Sequence, residues 1–156
     1  MKPLLSIIFL SLCLILVSCE KPDFRDSDGW GHAYSDQAGK WVLINYWATW
    51  CGPCRYEIPE FNQIANEFQE TIKVFGVNFE PVDSETMQEH VQEMGIRFPV
   101  YLDDDPYIHF DYERPLVLPT TIVISPNGQV HQILVGPQNR ETLLAATDLN
   151  LAEQGL

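Results

Sequence analysis

One junction in the sequence limits the folds open to this chain more than any other feature. Residues 41–47, WVLINYW, form an almost continuous apolar and aromatic run, as expected of a strand covered on both faces. The chain then reads CGPC at positions 51–54, and apolar residues recur at helical spacing from there to about residue 70. A buried strand therefore leads directly into a helix, with two cysteines where they meet.

The patterns after this junction continue the alternation of strands and helices. Strands that alternate with helices pair in parallel through right-handed crossovers, whereas a hairpin adds antiparallel pairing. The sequence thus predicts an α/β fold: a mixed central β-sheet with helices on both faces. The predicted elements are a strand at 72–79, a helix at 84–94 capped by Ser84 and ended by Gly95, a strand at 120–125, a hairpin partner at 129–135 after Pro126-Asn127-Gly128, and a helix from Asn139 or Thr142 to about Ala152.

The N-terminus predicts export and lipid attachment. Lys2 precedes the apolar stretch LLSIIFLSLCLILVS, which is shorter than the ~20 residues that span a bilayer. The stretch ends LVSC, which resembles the bacterial lipobox, with lipidation at Cys19. An ordinary cleaved signal and an uncleaved anchor are the alternatives. On the lipobox interpretation Cys13 leaves with the signal and Cys19 is capped, so Cys51 and Cys54 keep the two free thiols.

This interpretation divides the chain into a signal peptide at 1–18, a lipidated N-terminus and polar tether at 19–29, and one domain at 30–156. The net charge of −13 makes a positively charged groove for nucleic acid improbable, so no nucleic-acid partner is predicted. The acyl chains, and not the acidic protein face, would hold the protein to a membrane. The acidic triplet at 103–105 predicts a solvated turn, because it lacks the alternating ligands of a calcium loop.

The placement of Cys51 and Cys54 favours thiol–disulfide exchange. At a helix start the first N–H groups are unpaired and carry partial positive charge, which would lower the pKa of the Cys51 thiol from ~8.5 toward ~7. Cys54 follows one helical turn later, within reach of Cys51. Cys51 can then attack a disulfide, and Cys54 can resolve the mixed disulfide. A zinc site would need further ligands at suitable spacing, and a static structural disulfide is the other alternative.

The segment WVLINYWATWCGPCRYEIPEF resembles the active-site segment of the thioredoxin fold, and its WATWCGPCR form is similar to lipoprotein reductases of the TlpA/ResA type. VFGVNFE at 74–80 and LPTTIVISPNGQV at 118–130 resemble further parts of that family. The resemblance covers roughly residues 30–153. It implies a thioredoxin fold and a thiol–disulfide oxidoreductase with no cofactor beyond the Cys51–Cys54 disulfide.

The resemblance also implies a cis peptide bond before Pro119, beside the two sulfurs; a trans proline at a strand start is the alternative. The cis bond would expose a backbone edge on which an extended substrate peptide can pair. Leu118 and Thr120, which flank Pro119, are therefore expected to bind substrate. Trp50 is expected to give a hydrophobic contact beside Cys51.

The sequence departs from thioredoxins proper at the buried acid before the motif, where Asn45 stands in place of an aspartate. Asparagine cannot accept a proton at ordinary pH. Glu80, after the second strand, resembles a glutamate that some TlpA/ResA proteins carry, which implies a proton acceptor for Cys54. A solvated loop glutamate is the alternative. The aromatics of segment 103–118 are expected either to shape a partner surface near Pro119 or to pack on the sheet.

The sequence therefore predicts an envelope thiol–disulfide oxidoreductase, lipid-anchored and facing the periplasm, that reduces disulfides of exported proteins. The resemblance implies electrons from a membrane donor of the DsbD/CcdA type and substrates such as apocytochrome c or copper-site cysteines. Glu20 after Cys19 favours outer-membrane sorting. Net oxidation or isomerisation, a copper or metal chaperone, and a non-catalytic binding module are the alternatives.

Overall fold

The computed structural model describes residues 21–102 and 105–149. The predicted signal peptide, Cys19 and the end of the chain after residue 149 lie outside the described residues. Within them, no helix combines the length and the apolar content needed to cross a lipid bilayer. The strands are β1 (Phe24–Arg25), β2 (Gly31–His32), β3 (Trp41–Trp47), β4 (Ile72–Asn78), β5 (Thr120–Ile124) and β6 (Val130–Val135); the helices are α1 (Gly52–Glu67), α2 (Ser84–Met94), α3 (Tyr107–Phe110) and α4 (Arg140–Ala145).

The central sheet has the strand order β4-β3-β5-β6. β3 pairs in parallel with β4 and antiparallel with β5, and β5 continues antiparallel into β6. Residues 42–47 of β3 are all buried because the strand lies inside the sheet with cover on both faces. The predicted mixed sheet is confirmed, and β3 delivers the chain to Cys51 from the middle of it.

Alternate residues of β3 face two separate apolar clusters. Leu43 and Trp47 join the cluster that α1 fills with Ile58, Phe61 and Ile64. Val42, Ile44 and Tyr46 join a second cluster on the other face, whose further members include Phe24, Phe75, Tyr101 and Phe110. The first face is thus covered by α1, α2 and α4, whereas the second is covered by the short helix α3 and by the N-terminal hairpin.

The structure differs from the predicted tether over residues 24–29. Phe24 is 2% exposed, in the second cluster, and β1 pairs with β2 as a small antiparallel hairpin. Asp26 is also buried: it accepts hydrogen bonds from the backbone N–H groups of Asp28 and Trp30 and contacts His32 Nε2 at 2.7 Å. These residues belong to the folded domain because the Phe24 side chain, in an otherwise polar segment, packs in the second cluster under the sheet.

Three further boundaries or turns differ from prediction. The N-cap of α2 is Asp83, whose carboxylate accepts the Thr86 N–H at 2.9 Å, and not Ser84. The last helix ends at Ala145, well before residue 152. Asp105 is not simply solvated, since it pairs with Arg114 Nε at 2.7 Å and accepts a hydrogen bond from the Tyr46 hydroxyl.

Candidate active site

Cys51 and Cys54 stand at the first turn of α1 and are joined as a disulfide, with their Cα atoms 5.3 Å apart. Cys51 is the N-cap, and its sulfur accepts the backbone N–H of Cys54 at 3.2 Å. Pro53, within the first turn, has no N–H to leave unpaired. The positive end of the helix therefore points at Cys51, where it stabilises a thiolate when the bond is reduced.

The two sulfurs differ in access. Cys51 is 4% exposed, whereas Cys54 is 0% exposed and packs in the α1 cluster. Trp50, immediately before Cys51, is 61% exposed. An incoming sulfur therefore meets Cys51 first, and Cys54 reacts only from inside the protein.

The peptide bond between Leu118 and Pro119 is cis, as the resemblance implied. The Pro119 carbonyl accepts the Gly136 N–H at 2.9 Å, which fixes the proline against the turn after β6. Within the described residues, neither the N–H nor the C=O of Leu118 makes a hydrogen bond. A backbone edge at Leu118 is thus left open to an extended peptide, beside the exposed side chains of Leu116 and Val117.

Thr120 is predicted to bind substrate, and the structure shows where its side chain lies. Its side chain points into the interior, with the residue 1% exposed, and its hydroxyl donates to the Val117 carbonyl at 2.9 Å. Thr120 therefore shapes the turn that presents Leu118, because its only polar group is already engaged there.

The segment after residue 105 contacts Phe79, whose ring packs against Trp50. Phe79 meets the Trp50 ring edge-on, with centroids 6.4 Å apart, and the Arg114 guanidinium lies 4.7 Å from the centre of the Phe79 ring. Arg114 also donates to the Phe79 carbonyl at 2.7 Å and pairs with Asp105. The predicted aromatics of this segment pack inward: Phe110 is buried, and the Tyr112 hydroxyl lies 2.9 Å from that of Tyr46.

One carboxyl group is fully buried beneath the disulfide. Glu57 is 0% exposed and follows Cys54 by three residues on α1, so the two side chains are neighbours on one helix face. Asn45 Nδ2 donates to Glu57 Oε1 at 2.6 Å, and the Gln138 N–H donates to Glu57 Oε2 at 2.9 Å. Burial raises the pKa of Glu57 to about 7, against the hydrogen bonds from Gln138 and Asn45, which lower it. This carboxyl can therefore exchange a proton near neutral pH.

The described residues contain no group of three or more histidine, cysteine or acidic side chains arranged to hold a metal ion. Each of the four histidines contacts a partner away from the disulfide. These contacts pair His32 with Asp26, His90 with Asn78, His109 with Tyr34 and His131 with Asp148. The cysteines thus have no additional ligands gathered around them in this part of the chain.

A comparison with protein-family profiles matches residues 17–133 to the AhpC/TSA family. The chain belongs to that family. Among curated relatives, it is 32% identical over 139 residues to the thiol–disulfide oxidoreductase ResA of Geobacillus kaustophilus, which spans 86% of this chain and 78% of the relative. Together with the paired cysteines, this identity makes the chain a thiol–disulfide oxidoreductase.

Solved structures of similar shape give the fold of this AhpC/TSA member. A thiol:disulfide interchange protein of the thioredoxin family from Chlorobium tepidum superposes with a TM-score of 0.61 at 25% identity, covering 83% of this chain and 96% of that one. StoA from Bacillus subtilis superposes with a TM-score of 0.63 at 20% identity, covering 79% and 92%. The predicted thioredoxin fold is confirmed.

The buried acid of this family member is Glu57, whereas the sequence directed attention to Glu80. Glu80 lies just past the end of β4, half-buried, and its backbone N–H donates to Asn78 Oδ1 at 3.1 Å. Helical spacing is a signal that could have identified Glu57, because the third residue after Cys54 lies on the same face of α1. Asn45 is a second such signal, since a buried amide on β3 needs a polar partner.

Proposed function

We propose that this oxidoreductase works as a reductant of disulfides in exported proteins at the bacterial envelope. The observation that carries the proposal is the arrangement of three groups: Cys51 at a helix start, the more exposed of the two cysteines, an enclosed Cys54, and a buried Glu57 one helical turn further along α1. The Gly-Pro pair between the cysteines matches the reducing members of the resembled family. The N-terminal segment, with its lipobox-like end at Cys19, supports the location.

The first step is attack by Cys51. In the reduced protein the Cys51 thiolate attacks one sulfur of a substrate disulfide; a new S–S bond forms, the substrate S–S bond breaks, and the departing sulfur takes a proton from water. The open backbone edge at Leu118 holds the substrate segment extended, and Trp50 contacts its apolar side chains. Exported proteins such as apocytochrome c or proteins with copper-site cysteines supply such disulfides.

The second step is resolution by Cys54. Glu57 accepts the Cys54 proton, the Cys54 sulfur attacks Cys51, and the substrate leaves as a thiolate that is then protonated. The product is the Cys51–Cys54 disulfide seen in the structure. A membrane donor of the DsbD/CcdA type restores the dithiol by supplying two electrons, and two protons come from solvent.

The reduction potential of the Cys51–Cys54 pair tests the direction of this chemistry. Equilibration of the protein with glutathione or dithiothreitol buffers should give a value close to the thioredoxin end of the range, ~−270 mV. A value near ~−120 mV would make the protein an oxidant and overturn the proposal.

A trapping experiment tests the substrate class. Cys54→Ser, expressed with its full N-terminus, should accumulate mixed disulfides with exported proteins, which nonreducing electrophoresis and mass spectrometry identify. Cys51→Ser is the matched control and should trap none. Copper titration of the reduced protein distinguishes a reductase from a copper chaperone. Tight copper binding without turnover of a disulfide substrate would indicate a chaperone.

A further inference from the structure

We propose that residues 136–138, the strap between β6 and α4, are a positioning element of the active site that holds the Glu57 carboxylate as the proton-accepting anion through the backbone N–H of Gln138. The inference rests on the proton-acceptor role proposed for Glu57 above. It assigns a task in the exchange reaction to a loop that lies far from the CGPC motif in sequence.

The contact itself is a backbone hydrogen bond to a fully buried carboxylate. Gln138 N donates to Glu57 Oε2 at 2.9 Å, while Asn45 Nδ2 occupies the other oxygen at 2.6 Å. A hydrogen bond donated to the charged form of an acid favours that form. Without the strap, one oxygen of a carboxylate inside the core would lose its donor, and the neutral acid would become the favoured form.

The strap is held by one hydrogen bond to the rest of the protein at Gly136 and by one hydrogen bond within the strap. The Gly136 N–H donates to the Pro119 carbonyl at 2.9 Å, and Gln138 Nε2 donates to the Gly136 carbonyl at 2.8 Å. Gly136 has φ of +92°, a conformation that residues with a side chain rarely adopt. The same loop thus contacts the cis-proline edge at one end and the buried carboxylate at the other.

Most groups around Glu57 are uncharged, so the hydrogen bond from the strap should have a measurable effect on the ionisation of Glu57. β3, β5 and the strap carry uncharged residues, and the titratable residues at helical spacing from Glu57 on α1 are Cys54 and Glu60. α4 packs against α1, but its Arg140 pairs with Glu67 at 2.6 Å and gives its backbone N–H to Glu60 at 2.9 Å. Removal of one neutral donor should therefore be visible in the titration of Glu57.

A pair of substitutions at one position isolates the N–H. Gln138→Pro removes the donor, whereas Gln138→Ala keeps it and removes only the side chain. The titration of the Glu57 carboxyl carbon is followed by ¹³C NMR in the reduced full-length domain of each variant. We expect the Glu57 pKa to rise by about one unit in Gln138→Pro and by less in Gln138→Ala, which keeps the N–H and loses only the hydrogen bond from Nε2 to the Gly136 carbonyl.

Stopped-flow reaction with dithiobis-nitrobenzoate supplies the functional readout. Attack by Cys51 releases one thionitrobenzoate, and attack by Cys54 on the resulting mixed disulfide releases the second. In Gln138→Pro the second phase should slow about fivefold at pH 7, with its pH profile moved to higher pH by the same unit. The first phase should be unchanged, and in Gln138→Ala, which keeps the N–H, the second phase should slow less than in Gln138→Pro.

An unmoved Glu57 titration in a folded Gln138→Pro variant overturns the proposal. If that variant does not fold, Gly136→Ala displaces the strap by backbone strain alone, since an added Cβ meets no atom within 4 Å; the same upward shift is then expected, and its absence overturns the proposal. Glu57→Gln separates this failure from that of the proposed function: an unchanged second phase there removes Glu57 as the proton acceptor, whatever the strap does to its titration.

Discussion

The residue that distinguishes this site is Glu57, a buried acid that lies on helix α1 and not on strand β3. Asn45 occupies the strand position at which thioredoxins proper carry an aspartate, and here its amide donates to Glu57 Oε1. The amide cannot replace the acid, but it can orient one. In the proposed mechanism the proton-accepting group lies on α1 and not on β3.

Substitution of Glu57 should slow the resolving step selectively. In Glu57→Gln we expect the release of the second thionitrobenzoate at pH 7 to fall by about 10²-fold, because Cys54 loses its proton acceptor. The first phase should keep its rate. Glu80→Gln serves as the matched control at the acid that the sequence favoured, and a slow second phase in that variant with a normal one in Glu57→Gln would restore Glu80 to the role.

Elements of secondary structure could be predicted from the sequence where one pattern dominated. β3, β4 and β5 are continuous apolar runs, and Gly95 ends α2 with φ of +68°, as a glycine after a helix should. β1 could not be predicted, because two residues around Phe24 carry no periodicity and their burial depends on the second face of the sheet. The disulfide and Pro119 were recognisable by motif, whereas Glu57 required knowing which side of α1 is buried.

The start of α2 gives a test at this scale, since two adjacent residues are both good caps by type. Asp83 accepts the Thr86 N–H at 2.9 Å, whereas Ser84 is already the first helical residue. Asp83→Ala should therefore lower the urea midpoint, and Ser84→Ala should leave it nearly unchanged. The backbone bond from Thr86 holds the pKa of Asp83 below its ordinary value, so the contribution of this cap is present above that value and is lost as pH falls. Equal loss in both variants would place the cap elsewhere.

At the scale of the whole molecule, a buried acid makes stability depend on pH in the direction opposite to that of a salt-bridged one. The folded pKa of Glu57 is about 7, raised from 4.5 chiefly by burial. The folded state therefore binds its proton more tightly than the unfolded state. The stability that this provides is complete below pH 4.5 and is lost as pH rises through about 7.

Urea unfolding of the oxidised protein across this range should show the loss. We expect the wild type to lose up to about 3 kcal/mol between pH 4.5 and 8 relative to Glu57→Gln, which has no proton to release at this site. The comparison uses the difference between the two proteins at each pH, so that other titrating groups cancel. Parallel stability curves would mean that the pKa of Glu57 is the same in the folded and unfolded states.

The N-terminal hairpin docks on the sheet only a few residues after Cys19, the predicted lipidation site. Only four residues lie between Cys19 and Phe24, which is buried under the sheet. The five Cα-to-Cα steps of this segment reach about 17 Å when the chain is fully extended. If Cys19 carries lipid as predicted, the redox centre is confined to a thin layer above the bilayer, where it meets a membrane-embedded electron donor at high local concentration.

A twenty-residue Gly-Ser insertion after Glu20 should then slow reduction by such a donor in proteoliposomes several-fold while leaving turnover of a soluble disulfide unchanged. Equal rates of reduction by the donor with and without the insertion would mean that nearness to the bilayer plays no part in the electron supply.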